Sequence, residues 1–324
     1  MELIETDMKE YNQYFSKTPH IFNSVAFNEL NSPKADSVHY FIFKDSKVRL
    51  GLCVGEKDGV LRSPFSAPFG GFSYSSELHK FKTIEDALSL MCEYAEKNGK
   101  SVRLVLPPDF YGRVIINETV SSLFRSAFTF KYADVNYQFF CEDFEGYETR
   151  LTKESRNKLK ISFQSDYEFE KLDSAKPAAV SRAYSVIKAN REFRGFPLRM
   201  TEAQVLETVR VVQADFFVLS VEGADAAAAQ VFHVAPGIAQ VIYWGDAPGF
   251  AEKKVMNLLA YKVFEHYARN TDVRIVDIGP SSENGIPNHG LCEFKENIGC
   301  KTALKYVFEF AVNNNYTGGG TIVE

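Results

Sequence analysis

The segment HGLCEFKENIGCK, residues 289–301, contains a histidine, two cysteines, two lysines and two glycines. Side chains of these types can bind a metal ion, form a redox pair, hold a phosphate group or simply belong to a turn. His289 and Cys292 have a spacing that could chelate a metal, but a zinc site needs about four ligands and no second pair stands nearby. The sequence therefore predicts no metal site, and it favours buried thiols over a redox pair for Cys292 and Cys300.

Several catalytic motifs with a known mechanism are missing from the sequence. It contains no HExxH zinc motif, no CxxC pair, no Walker phosphate loop and no G-x-S-x-G nucleophile turn. The chemistry must therefore come from single polar residues, and the elements around them must bring those residues together.

The candidates for catalysis are one lysine, one tyrosine and two aspartates near predicted strand ends. Lys295 could hold a phosphate or a developing oxyanion, whereas an isolated lysine is usually solvated. Tyr243 is a candidate general acid, although a strand tyrosine beside Trp244 is more often part of the core. Asp246 and Asp277 could accept a proton from an amine, or they could be structural.

Other polar residues are candidates for binding substrates. The candidates are Arg156, Lys160, Arg191 and Arg194 for an anionic cleft, Asn284 and Asn288 for hydrogen bonds to a substrate, and Lys253 and Lys254 for a cofactor phosphate. The alternative for the basic residues is a solvated charged face. The alternative for the two asparagines is turn formation in a loop rich in Gly, Pro and Asn.

The elements that position these residues follow the same order in both halves of the chain. Short strands around residues 39–65 precede a helix with apolar positions from Ile84 to Ala95, and the strand SVRLVLP follows. In the second half, three antiparallel strands up to residue 246 precede a helix over 255–268, and the strand VRIVDIG follows. The repeated order predicts two domains of one α/β architecture with mixed sheets.

The predicted domains span residues 1–148 and 149–312, and residues 313–324 form a tail. A helix in RLTKESRNKLKIS opens the second domain, and NREFRGFPLRMT is interpreted as a loop. The strands AQVIYWGDA and VRIVDIGPS are predicted to be parallel. Where such strands separate beside a helix N-terminus, free backbone groups can bind a carbonyl and an anion.

Composition limits the classes of protein to which the chain can belong. The chain has 324 residues, of which 45% are hydrophobic and 24% are charged, and a formal net charge of −5. These values are typical of a globular protein and argue against a general DNA-binding or membrane-coating surface. No stretch reaches the roughly 18 apolar residues of a membrane span. Five irregularly spaced cysteines indicate reduced thiols, and we expect a cytoplasmic protein.

The second half carries the segments AAAAQVFHV, AQVIYWGDAP, MNLLAYKVFEHYARN and VRIVDIGPSSENGIPNHGLCEFKENIG in this order, and the last contains a Gly-Leu-x-x-Phe-Lys-x-x-x-Gly motif. This order resembles the FemABX-like branch of the GNAT acyltransferase superfamily. In this chain the motif is Gly290, Leu291, Phe294, Lys295 and Gly299. SRNKLKIS and NREFRGFP resemble the basic helix and the substrate-side loop of that family, and LRSPFSAPFGGF resembles a segment of its first domain.

The resemblance implies two tandem GNAT-like domains and an N-acyltransferase with its site in the second domain. The donor would be an acyl-CoA or an aminoacyl-tRNA, used as a co-substrate with no permanently bound cofactor. The acceptor would be a small-molecule amine or a precursor amine, including one of the cell envelope. Within the motif, Lys295 is predicted to lie in a strand–turn element at the mouth of an acyl-transfer cleft.

Two departures from the family pattern affect these expectations. Pro280 stands where the family often has a second glycine, and APGFAEKKV lacks the phosphate-loop signature of ordinary acetyl-CoA users. Because no coiled-coil arm or broad basic surface is evident, acyl-CoA or another thioester is favoured over tRNA. The alternative function is a non-catalytic binding or interaction protein that retains the GNAT scaffold.

Overall fold

A computed structural model describes residues 1–74 and 81–312 of the chain. The predicted tail, residues 313–324, lies outside the described residues. The chain divides into two compact units, of which unit one contains residues 1–132 and the chain from Tyr306 onward, and unit two contains Ala133–Lys305.

The described residues of unit one form four α-helices and a mixed sheet. The helices are α1 (Met8–Tyr14), α2 (Val25–Asn31), α3 (Phe81–Lys97) and α4 (Arg113–Phe124). The strands are β1 (Glu2–Thr6), β2 (Ser37–Lys44), β3 (Val48–Lys57), β4 (Val60–Ser63) and β5 (Ser101–Val105). They pair in the order β1-β2-β3-β4-β5, and only the β4–β5 pair among them is parallel. Helix α3 connects these two parallel strands.

Unit two contains the other helices and a second mixed set of strands. The helices are α5 (Tyr147–Arg150), α6 (Lys153–Ser162), α7 (Pro177–Arg194), α8 (Glu202–Thr208), α9 (Val255–Asn270) and α10 (His289–Asn297). The strands are β6 (Thr129–Phe140), β7 (Tyr167–Leu172), β8 (Ala214–Val221), β9 (Ala224–Ala235), β10 (Ile238–Asp246), β11 (Ile275–Pro280), β12 (Ser282–Glu283), β13 (Ile286–Pro287) and β14 (Lys301–Phe310).

Strand order in unit two is β6-β11-β10-β9-β8-β7, and the short strands β12 and β13 form a separate hairpin. Strands β10 and β11 are parallel and are connected by α9. The predicted α/β class with mixed sheets is therefore confirmed, as are the three antiparallel strands and the parallel pair of the second half.

The two faces of the unit-two strands carry different helices. Alternate strand residues such as Val231, Ala239 and Val276 are buried in one cluster with the apolar stripe of α9, and Leu159 of α6 joins it. Helix α7 packs against β8, β9 and β10, and its buried Val180 and Ile187 lie outside that cluster. Because successive side chains of a strand alternate between faces, α7 covers the face opposite α9.

Two elements differ from the sequence-based predictions. The segment NREFRGFPLRMT does not begin as a loop, because α7 continues to Arg194 and ends at Gly195 with φ 68°, a left-handed helix cap. The motif around Lys295 is not a strand–turn element. It forms α10, because the Asn288 side chain caps the first turn and no proline interrupts the next nine residues.

Both units are completed by a strand that crosses a unit boundary. In unit one, Val307–Phe310 of β14 pair with β5, and in unit two, residues 136–140 of β6 pair with β11. The units therefore change inside strands, at Tyr132/Ala133 and Lys305/Tyr306. The predicted boundary between two domains at residues 148/149 stays a prediction.

Candidate active site

A gap between parallel strands forms the centre of the candidate site in unit two. Pairing of β10 with β11 extends from Ile238/Ile275 to Gln240/Asp277 and stops there, although β10 runs on to Asp246. Irregular register marks both strands at this point, between Val241 and Tyr243 in β10 and between Asp277 and Pro280 in β11. Because the pairing with β11 stops at Gln240, the backbone groups of β10 beyond this residue that point toward β11 are not used by that strand and can bind a carbonyl oxygen.

Tyr243 lies beside this gap, on the face covered by α7. The guanidinium carbon of Arg191 is 5.2 Å from the centre of the Tyr243 ring. Desolvation raises the pKa of Tyr243, while backbone hydrogen bonds and the charges of Arg191 and Arg199 act in the opposite direction. Burial also lowers the pKa of Arg191. The arrangement gives a protonated phenol with a nearby cation that stabilises its anion.

The end of α7 is tied to the end of β10 by polar contacts. The Asn190 Nδ2 atom donates to the backbone oxygen of Asp246 at 2.8 Å and to its Oδ1 at 2.9 Å, and Arg194 donates to the same Oδ1 at 3.0 Å. Gly245 permits the close approach, since a Cβ there would lie 2.4 Å from Asn190 Cγ. These contacts set the position of Arg191, one helical turn before Gly195, over Tyr243.

Asp277 is fully buried next to the point where the strands separate. Its Oδ1 accepts from Asn136 Nδ2 and from the Gly279 backbone N–H, and its Oδ2 accepts from Gln240 Nε2, each at 2.8 Å. A carboxylate with three N–H donors is held in a fixed position. The predicted role of Asp277 as a proton acceptor is untested by this geometry, which itself indicates a positioning residue.

Buried glutamine side chains lie on the α7 face of β6, β9 and β10, and the sequence patterns did not point to them. Among the residues that the structure describes, Oε1 of Gln138, Oε1 of Gln240 and both polar side-chain atoms of Gln230 are buried without a hydrogen-bond partner. Buried polar atoms are normally paired, so unpaired ones mark a place where water or a ligand binds. The available signal was a glutamine inside a largely apolar stretch, as in AAAAQVF around Gln230 and IAQVIYW around Gln240.

Lys295 of α10 contacts the end of β11 and is only 2% exposed to solvent. Its Nζ donates to the backbone oxygens of Ile278, Gly279 and Pro280 at 2.9, 2.8 and 3.0 Å. Desolvation lowers the pKa of Lys295 to about 8, although nearby Cys300 and Asp277 act in the opposite direction. Since an ammonium has three donors and all three are used, the phosphate ligand expected from the sequence does not match this geometry.

The two asparagines predicted to form hydrogen bonds with a substrate, Asn284 and Asn288, take part in local turn and cap structure. Asn284 has φ 54° and Gly285 has φ 80°, as in the tight turn of a two-stranded hairpin. The Asn288 Oδ1 atom accepts from the Leu291 backbone N–H at 3.1 Å and caps α10. Both contacts agree with the turn-forming alternative, and their roles in binding stay predictions.

The four basic residues expected to line one cleft lie in two separate places. Arg156 and Lys160 are on α6, which packs against α9, whereas Arg191 and Arg194 are on α7 at the opposite face. Arg156 donates to the backbone oxygen of Leu151 at 3.0 Å. The structure therefore brings only Arg191 and Arg194 to the gap.

The two lysines expected to meet a cofactor phosphate precede α9. Lys253 forms an ion pair with Glu222. Lys254 is the N-cap residue of α9 with φ 55°, and its side chain makes no capping hydrogen bond. The first turn of α9 follows the end of β10 after the eight residues 247–254, and the role of both lysines in binding a phosphate stays a prediction.

The described residues show no group of three or more histidine, cysteine, aspartate and glutamate side chains that could hold a metal ion. His289 is exposed at the start of α10, and Cys292 is half-buried. In the part of the chain that the structure describes, no helix is long and apolar enough to cross a membrane.

Comparison with solved structures adds an independent observation. The structure of FemX aligns with a TM-score of 0.69 and 11% sequence identity, over 97% of this chain and 98% of FemX. The chain has a FemX-like fold. L-PGS from Bacillus licheniformis aligns with a TM-score of 0.58 and 12% identity, over 96% of this chain and 94% of that one. A protein of unknown function from Bacteroides thetaiotaomicron also aligns, with a TM-score of 0.58, 12% identity and coverage of 94% and 98%.

Sequence comparisons add no relatives to this FemX-like fold. No protein-family profile matches the chain, and no curated protein is similar to it in sequence. The predicted FemABX-like fold is thus confirmed by structure alone. At 11–12% identity the likeness establishes the fold and leaves the reaction to be argued from the site.

Proposed function

We propose that unit two of this FemX-like chain is an N-acyltransferase that moves an acyl or aminoacyl group from a thioester or ester donor to an amine. The observation that carries the proposal is the gap where β10 leaves β11 at Gln240/Asp277, with Tyr243 beside it. An edge of unpaired amides next to a phenol suits a reaction in which negative charge develops on a carbonyl oxygen.

In the proposed reaction the acceptor amine attacks the donor carbonyl, and a C–N bond forms while the C–S or C–O bond breaks. Backbone amides on the free edge of β10 stabilise the oxyanion. Tyr243 donates its proton to the departing sulfur or oxygen, and the tyrosinate takes back the proton that the attacking nitrogen loses. The Arg191 cation, 5.2 Å from the ring centre, stabilises the tyrosinate in the interval.

The donor is proposed to lie at the α9 side of the gap, with its phosphates near Lys254 and the first turn of α9. Acyl-CoA fits this arrangement as a co-substrate, and aminoacyl-tRNA is the other donor class that the resemblance implies. The acceptor is proposed to enter from the α7 face, where Arg194 and Asp246 form a charged pair at 3.0 Å.

The test is to incubate the intact chain with panels of acyl-CoAs and aminoacyl-tRNAs and with primary amines from amino acids to peptides. We expect mass spectrometry to find a new amide with at least one donor class. Donor binding in thermal-shift assays without any amide product would instead favour the alternative, a binding protein that retains this scaffold.

A further inference from the structure

Arg191 is a half-buried cation for which the described part of the chain provides no counter-ion. It lies on α7 with its guanidinium carbon 5.2 Å from the centre of the Tyr243 ring, and among the described residues its Nε atom is buried without a hydrogen-bond partner. Desolvation lowers the pKa of Arg191, and the Tyr243 phenol is the group that acts in the opposite direction. Removing a cation from water costs free energy unless an anion or an acceptor replaces the water. Arg191 therefore suits an anionic ligand.

The two arginines that follow Arg191 in the chain already have carboxylate partners. Arg194 lies 3.0 Å from Asp246 Oδ1, and Arg199 lies 3.6 Å from Glu283 Oε1. The unpaired positive charge beside the gap is therefore that of one guanidinium. One such charge balances one carboxylate, whereas a phosphate monoester carries about 1.5–2 negative charges at pH 7. The balance of charge favours a carboxylate as the ligand.

A fully buried glutamine on the other side of Tyr243 also lacks a partner. Gln230 of β9 is directly opposite Tyr243 of β10 in the sheet register and is 0% exposed. Among the described residues, both its Oε1 and its Nε2 are buried without a hydrogen-bond partner. Directly opposed residues of an antiparallel pair have Cβ atoms about 4.5–5.5 Å apart. Arg191 and Gln230 are therefore both neighbours of the phenol that the proposed reaction uses.

These unpaired groups match the two polar ends of an α-amino acid. The N–H groups of Arg191 and of Gln230 Nε2 donate to the oxygens of a carboxylate, and Oε1 of Gln230 accepts from the amine next to it. An amine without a carboxylate leaves the Arg191 cation unpaired. A carboxylate without an amine leaves Oε1 of Gln230 unpaired.

We propose that the acceptor in unit two is an α-amino acid, whose carboxylate binds Arg191 and Gln230 and whose own amine is acylated beside Tyr243. This inference rests on the acyl transfer proposed above. The ammonium first releases one proton to solvent, and the neutral nitrogen then forms the C–N bond while the C–S or C–O bond of the donor breaks. Tyr243 protonates the departing atom and takes the proton that the nitrogen loses, so the product is an N-acyl amino acid.

The experiment is a titration of the intact chain, ¹⁵N-labelled at the arginine Nε atoms, with a panel of α-amino acids. Each amino acid is paired with its carboxamide, which keeps the amine but lacks the negative charge. We expect at least one amino acid to cause a saturable shift of the Arg191 Nε–H resonance, which is assigned by its absence from Arg191→Gln. Its carboxamide should bind about tenfold more weakly, because a charged hydrogen bond is lost. Phosphoethanolamine, with a phosphate in place of the carboxylate, should also bind more weakly.

Arg191→Gln and Gln230→Leu remove the two sides of the proposed contact. Arg210→Gln is the matched control, because Arg210 belongs to the same unit but is exposed and paired with Glu207. In calorimetric titrations we expect both site variants to lose the preference for the amino acid over its carboxamide, and the control to retain it. Gln230→Leu should leave the free protein at least as stable, since it replaces an unpaired buried amide by an apolar group.

The possible outcomes separate this inference from the proposed reaction. The inference is overturned if no amino acid shifts Arg191, if carboxamides or phosphoethanolamine bind as tightly as the amino acids, or if Arg191→Gln keeps the preference. Amide products formed equally fast from amines without a carboxylate would leave acyl transfer standing and exclude an amino acid as its specific acceptor. Amino acids that bind at Arg191 without amide formation from any donor would support the binding site and contradict the acyl transfer.

Discussion

At the scale of single residues, Lys295 shows how a buried charge can shape a site without touching a substrate. Its three donors bind three successive backbone oxygens at the end of β11. These contacts hold the backbone at the end of β11, next to the point where its pairing with β10 stops. We infer that Lys295 is a positioning residue for the gap.

Replacing Lys295 by Met should change how stability depends on pH. Burial lowers the pKa of Lys295 to about 8 in the folded chain. Between about pH 8 and 10 this side chain is therefore protonated in the unfolded chain but mostly not in the folded one, so its contribution to the unfolding free energy increases as pH rises. The unfolding free energy of the wild type minus that of Lys295→Met should increase by up to about 1.4 kcal/mol per pH unit in this range. Denaturant unfolding at pH 7, 8, 9 and 10 measures this difference.

Taking the difference between the two proteins removes the contribution of other groups, such as Cys300, whose pKa burial raises. Lys301→Met is the control, because that side chain is exposed. A difference that is flat from pH 8 to 10 would contradict the buried position of the ammonium.

At the scale of elements, the site depends on how closely α7 approaches β10. The contact is made at Gly245, where a Cβ would lie 2.4 Å from Asn190 Cγ and 2.5 Å from its Oδ1. Any side chain at this position must push the end of α7 away from the strand. Arg191, on the same helix, would then move off the Tyr243 ring.

Gly245→Ala should therefore lower the unfolding free energy by about 1–3 kcal/mol, because it overpacks a rigid interface. Gly290→Ala is the matched control. It lies in α10, and the nearest atom to its added Cβ is Asn288 Oδ1 at 3.7 Å, so it should be neutral or slightly stabilising. Chemical denaturation of the two variants provides the comparison, and equal effects would contradict the close approach.

Residue patterns predicted the strands and helices around the site but not its polar contacts. Alternation and turn residues were enough for β8 to β11 and α9, since those signals are local. The contact of Asn136 with Asp277 joins residues 141 positions apart and arises only when β6 pairs with β11. The partners of Lys295 are backbone oxygens, which leave no mark on the sequence. Its burial could therefore not be predicted.

At the scale of the whole molecule, each unit is completed by a strand that lies on the other side of the predicted boundary at residue 148. Unit one is completed by β14 beside β5, and unit two by β6 beside β11. A cut at the predicted boundary separates β14 from the rest of unit one and β6 from the rest of unit two. The two compact units therefore do not coincide with the two halves of the sequence.

Fragments 1–148 and 149–324 should each fail to unfold cooperatively when expressed alone, because each exposes an unpaired strand edge. The control is the intact chain nicked at residue 148 by an inserted protease site, which retains every strand and should keep a cooperative transition. Circular dichroism melts measure both. A cooperative melt of fragment 1–148 near the Tm of the intact chain would contradict the need for β14 in unit one.

The rate of amide formation by Tyr243→Phe, measured beside the wild type and Tyr261→Phe, tests the acyl-transfer site most directly. Tyr261 belongs to the same unit, and burial also raises its pKa, but it lies on α9 against Phe144 and away from the gap. Loss of a general acid should lower kcat of Tyr243→Phe by about 10²–10⁴-fold with little change in thermal stability, and Tyr261→Phe should keep the wild-type rate. Equal rates for Tyr243→Phe and the wild type would contradict a reaction at the edge of β10.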